Sequence, residues 1–234
     1  MQTLDEPTDT RIKHHQVVYG RMKGSFGSMY QTILSIIQGV ALADLAAFVV
    51  AKYPQFTIVQ WLMVLTTFFM LIVVYTVYSI QSAVWDWIPD IRDASIPFVV
   101  GALELFVNHT ITLSLSLWFI GLAAISVLGA IGTVHMVWRA HEESENAELL
   151  GLLRPHHRLF ILNYAGGAAL ALLFAYICYA ADLQASIGIQ GLRGVLTLGL
   201  VLLIAIGLDS SALVSNWYWR KAVIYARTGE CLIC

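Results

Sequence analysis

Asp44, Glu104 and Asp209 each stand inside a long apolar run of this 234-residue chain. A carboxyl group held in hydrocarbon costs several kcal/mol and is rarely kept without a role. Such groups can exchange a proton or take the place of a cation's water shell. No Lys or Arg falls within the same runs, so the acids have no fixed cationic partner there. Asn108 and His109 follow Glu104 by about one helical turn and extend the candidate ion or proton site, with Tyr75, Tyr78, Ser210 and Ser211 as further oxygen-bearing relay positions. Small or polar residues flank each acid at helical spacing: Ala41, Ala47 and Ala51 around Asp44, Gly101 and Asn108 around Glu104, Ala205, Ala212 and Asn216 around Asp209. Small neighbours let helices approach and turn a polar group away from lipid. The same pattern serves a purely structural use, in which each acid is protonated and bonded to a neighbouring helix.

Histidine supplies a second constellation. His135 and His157 fall at the same predicted level on consecutive spans, as a bis-histidine haem would require. Histidines beside Arg154 and Arg158 equally suit lipid headgroups, and no cofactor is assigned. No four His or Cys residues follow one another in the order and spacing of a zinc motif. Cys231 and Cys234 close the chain as Cys-Leu-Ile-Cys, which has the outline of a prenylation box with an atypical last residue. The segment from Gly20 to Gly27 is glycine-rich, but no strand precedes it, so it reads as a flexible basic segment rather than a phosphate loop. Asp86, Asp90 and Asp93 gather near one membrane face and could form either a cation-attracting vestibule or a solvated interfacial helix.

The elements that must position these groups follow from composition. Charged residues are 12% of the chain and hydrophobic ones 59%, with a mean hydropathy of +0.74, against roughly a quarter charged in a soluble domain. Six stretches approach the ~20 residues needed to cross a bilayer, at about 32–51, 58–80, 95–114, 118–138, 159–181 and 195–217. Residues 1–31 form a basic N-terminal segment and 218–234 a tail. Strand-like alternation is confined to one short stretch, so the expected fold is all-α, a polytopic six-helix membrane bundle.

Orientation comes from Lys and Arg. With both termini in the cytoplasm, eleven of the 13 basic residues lie on the inner side, and only Lys52 and Arg193 lie outside. Trp85, Trp87, Trp138, Trp217 and Trp219 then mark the inner interface, Trp61 and Tyr179 the outer. Between 95 and 138 a hairpin must turn without glycine or proline, and the first helix is expected to end near Asn108-His109-Thr110. Ser95 is placed as the cap of that helix, with Pro97 in its first turn. His141–Glu148 leads into Leu149–Leu153, expected to lie along the bilayer surface. At 1.5 Å per residue the three acids sit roughly 18, 14 and 12 Å from the inner boundary.

Several classes drop out. No span holds a lysine for a retinal Schiff base, none repeats arginine as a voltage sensor does, and a potassium-filter sequence is absent. The two three-helix halves show no internal repeat. Three functions fit a multi-pass cell-membrane protein of this kind. One is a small cation or proton channel or transporter, oligomeric, using the mid-membrane carboxylates. Another is a non-catalytic membrane subunit or sensor that binds lipid or a protein partner. The third is a haem-binding protein or other membrane enzyme. Nothing points to nucleic acid.

Overall fold

The computed structural model describes residues 6–85, 91–143 and 146–185, together with Trp217, Arg220 and Lys221. Among these residues all regular structure is helical. The long helices are α1 (Glu6–Lys52), α2 (Ile58–Val84), α3 (Ile91–Thr110), α4 (Leu115–Glu142) and α5 (Ala147–Ala185), and a 3-10 turn, Tyr53–Gln55, links the first two. Four segments are long and apolar enough to cross a membrane: Gly27–Gln55, Ile58–Val84, Leu115–Glu142 and Leu153–Ala180. The chain is thus a membrane-embedded helical protein. Positions 195–216 of the expected sixth span, Asp209 among them, lie outside the described residues, as do Cys231 and Cys234.

The expected third span corresponds to α3, which is not among those four apolar segments. Its 20 residues rise about 30 Å, enough to cross the hydrocarbon, but Asp93, Glu104, Asn108 and His109 dilute its apolar character. The reason is packing. Its buried positions include Asp93, Pro97, Val100, Glu104 and Val107, alternating steps of four and three residues, the seam of a helix that faces other helices. α1 answers with buried Leu34, Gln38, Ala41 and Leu45 at the same alternation. Gly101 lets the two backbones meet, because a Cβ there would collide with the side chain of Ile37. α1 packs on α2 and α3, α3 on α4, and α4 on α5.

Helix ends explain where the sequence reading was displaced. α1 is continuous from Glu6, so the glycine-containing basic segment is helical rather than flexible; the Cβ positions of Gly20 and Gly24 meet nothing. Thr57 caps α2 through a reciprocal box with Gln60, which turns the chain sharply after Lys52. α3 starts four residues before the expected cap. Ser95 is therefore inside it, donating to the carbonyl of Arg92 at 2.9 Å, and Pro97 is beyond the first turn. The hairpin breaks after Thr110, where expected, and Ser114 caps α4 by accepting from the Leu117 amide. The stretch after Ala147 does not lie along the surface as a separate element. It is the first part of α5, with Leu150 and Leu153 buried against Val77, Trp85, Met136 and Ala140. Trp85 accordingly sits inside the protein, its ring 5.6 Å from that of His157, instead of marking the interface. Trp61, Trp138, Trp217 and Tyr179 are exposed.

α4 and α5 interlock through small residues. Gly129 lies under the ring of Tyr164, whose nearest carbon would be 2.7 Å from an added Cβ, and Ser116 donates to the carbonyl of Ala175 at 2.9 Å. Ala168 is buried there, whereas Gly166 faces open space. Outward, α2 presents Leu65, Phe68, Phe69 and Ile72, and α5 presents Leu162, Leu172, Leu173 and Tyr176, an apolar surface suited to lipid.

Candidate functional site

The α1–α3 seam carries polar groups in the middle of an apolar bundle. Glu104 is fully buried, and both its carboxylate oxygens accept from the Gln38 amide nitrogen, at 2.7 and 2.9 Å. One turn further along α3, Asn108 is also fully buried. Its amide nitrogen donates to the Ala41 carbonyl at 3.0 Å and to Asp44 Oδ2 at 2.9 Å. His109 Nε2 stands 3.4 Å from Asp44 Oδ1, and its ring meets that of Phe48 edge-on. The Asp44 side chain is 27% exposed and that of His109 61%, so this end of the seam opens to the surface.

The structure therefore brings Asp44, Asn108 and His109 into one cluster and places Glu104 about 6 Å further along the helix axis, one turn away. Asp44 and Glu104 are offset by about one turn because Asn108 rather than Glu104 meets Asp44, against the roughly 4 Å difference in depth expected from the sequence. Asp209, outside the described residues, has no place in this geometry.

The seam has more acceptors than donors. Two buried oxygens, Gln38 Oε1 and Asn108 Oδ1, have no hydrogen-bond partner among the described residues, and they lie beside two carboxylates. Both amide groups spend their N–H donors on acids and a carbonyl. Buried acceptors left unmatched each cost on the order of 1–3 kcal/mol. A proton or a cation would supply the missing donor.

A second polar group closes the opposite end of α3. Asp93, 4% exposed, accepts from or donates to His135 Nε2 at 3.0 Å, with Arg139 3.9 Å away. Arg139 also binds Glu142. Beside them is a cavity of about 30 Å³, room for a single water, lined by Tyr30, Tyr78, Gln81 and Ser82. The Tyr78 hydroxyl is buried without a partner among the described residues and lies within electrostatic reach of Tyr30 and Glu104. It lines that cavity together with Asp93 and His135. Tyr75, the other expected relay tyrosine, is half exposed and 3.5 Å from Ser35 Oγ.

The expected vestibule acids behave differently from one another. Asp93 is drawn into the bundle by His135, while Asp86 and Asp90 lie outside the described residues. The proposed haem ligand His135 has its Nε2 committed to Asp93, and His157 packs on Trp85. Among the described residues no three His, Cys, Asp or Glu side chains converge as metal ligands would.

Gln38 was not among the residues picked from the sequence. Its signal was present: it occupies the buried stripe Leu34, Gln38, Ala41, Leu45, in which a polar residue is an exception. Asp93 and His135 were noticed singly and not as a pair, since nothing in the sequence relates positions 42 residues apart. No protein-family model, no curated protein and no solved structure matches this chain.

Proposed function

We propose that this protein moves protons across its membrane, as a channel or a proton-coupled transporter, along the seam between α1 and α3. The observation that carries the reading is the fully buried Glu104, beside orphaned acceptor oxygens on Gln38 and Asn108, in a seam with no lysine or arginine near it. Such a site has unfilled demand for a positive charge. Protons fit better than a coordinated cation. The acids are spread over successive turns, each already holding an amide, and do not ring one point in space. The order Asp44 and His109, then Glu104, Tyr78 and finally Asp93 with His135 spaces titratable or hydroxyl groups along α3, with the Asn108 amide between Asp44 and Glu104. In the orientation set by the basic residues, Asp44 is the outer mouth and Asp93 the inner one.

The rival is a non-conducting membrane subunit in which the same groups fix helix register. The alternation of four and three favours it, since a single polar residue in such a seam specifies alignment. Proton flux into proteoliposomes separates the two. Conduction predicts measurable flux from the native protein and its loss, by at least about tenfold, in Glu104→Gln, whose shape is unchanged. Flux indistinguishable from empty liposomes in the native protein would end the proposal.

A further inference from the structure

We propose that the groove at the inner end of the α4–α5 hairpin binds one anionic phospholipid. The groove encloses roughly 450 Å³, within the ~300–1,000 Å³ of small-ligand sites. Arg154 and Arg158 line it from α5 and His141 from α4, and among the described residues no acidic side chain does. The two arginines are one turn apart on the same helix face, about 6 Å along the axis, a separation that a phosphodiester and its glycerol can bridge. Guanidinium groups match phosphate oxygens in pairs, which ammonium groups do not.

The floor is apolar. Val134 and Val137 continue the groove along α4, Val134 lying about 10 Å deeper than His141. Val134, Arg154 and Arg158 are exposed, so the groove opens sideways as well as toward the helix ends. A free phosphate would use the basic rim and leave the apolar floor empty. A lipid uses both, with its headgroup at the arginines and its first methylenes along the valines. Gly151 adds room at the rim, because a Cβ placed there meets nothing within 4 Å. Basic pockets between membrane helices on the cytoplasmic side are suited to acidic headgroups.

The test is native mass spectrometry of the full-length protein with lipid titrated in detergent. Phosphatidylglycerol should be retained at one molecule per chain, and phosphatidylcholine at least about tenfold more weakly. The pair Arg154→Gln with Arg158→Gln should weaken phosphatidylglycerol binding roughly 30-fold, from the usual contribution of two basic side chains at an acidic surface. Arg92→Gln with Arg220→Gln removes two other inner charges and should change it less than about twofold. Gly151→Leu should fill the groove and abolish retention while the helical circular dichroism and melting temperature stay native. Equal weakening by the control pair would reduce the effect to general surface charge and overturn the proposal. So would glycerol phosphate competing as well as the lipid. Absence of bound lipid in the native protein would mean the groove is filled by another part of the chain or a partner, and would also overturn it.

Discussion

Gln38→Leu tests whether Glu104 carries its charge inside the bundle. In the native structure both Glu104 oxygens accept from a single amide, at 2.7 and 2.9 Å, and the residue has no exposed surface. Leucine is close to glutamine in size, so the change removes the donor and leaves the space filled. If Glu104 is ionised, the variant strips a buried carboxylate of its donor, and a hydrogen bond to a charged group is worth about 1.5–3 kcal/mol. If Glu104 is neutral, the loss is that of an interhelical hydrogen bond within a membrane, which averages about 0.6 kcal/mol. The two cases differ enough to be told apart. Glu104→Gln keeps an amide-to-amide bond and should cost about 1 kcal/mol or less. Gln38→Leu combined with Glu104→Leu replaces the whole pair with apolar surface and should recover most of the loss. The assay is reversible unfolding in mixed detergent micelles, followed by tryptophan fluorescence, on all four members of the cycle. A proton-handling site predicts a Gln38→Leu cost that falls as pH is lowered, because protonation removes the stranded charge. A cost below about 0.5 kcal/mol at every pH, additive with that of Glu104→Leu, would refute the coupling on which the seam argument rests.

Two other outcomes follow from geometry. Gly101→Ala gains about 1 kcal/mol of helix propensity but drives a methyl group into Ile37, and overpacking of this kind costs about 1–3 kcal/mol, so destabilisation is expected, with recovery in combination with Ile37→Ala, read from the same unfolding curves. A single cysteine at Lys52, in an otherwise cysteine-free protein, should react with an impermeant maleimide from the outside, and one at Glu148 only after permeabilisation; the reverse would invert the assigned direction of the seam.

The parts of this protein legible in its sequence are those that a bilayer dictates. Long apolar runs must become helices because hydrocarbon leaves backbone groups no other partner; α2 and α4 fall where composition alone places them, while α5 contains its expected span and begins well before it. The ends shift by several residues. They depend on local bonds such as the Thr57–Gln60 box and the Ser114 cap, which hydropathy does not register. The site was half legible. Acids in apolar surroundings announce themselves, yet which groups they meet depends on how helices rotate about their axes. Asp44 is met by Asn108 because Gln38, one and a half turns earlier on α1, is already opposite Glu104.

α3 shows how the two levels of information join. By hydropathy it is the weakest of the five long helices as a membrane span, and it is also the one that carries Asp93, Glu104 and Asn108. These are the same fact. A helix packed between α1 and α4 does not have to be apolar all round, because its polar face meets protein while Phe98, Val99 and Phe106 face outward. The polar groups collect on the face of α3 that α1 and α4 cover, not on the face that Phe98, Val99 and Phe106 present outward. Under that logic its polar residues need protein partners at matching heights, which Gln38, Asp44 and His135 provide. A reduction of hydropathy concentrated at steps of four and three, within an otherwise apolar chain, thus identifies a helix with one face packed on other helices rather than an interrupted one. It also points to where chemistry can be housed: inside the seam, away from lipid, with one end open at Asp44 and His109 and the other closed at Asp93 and His135.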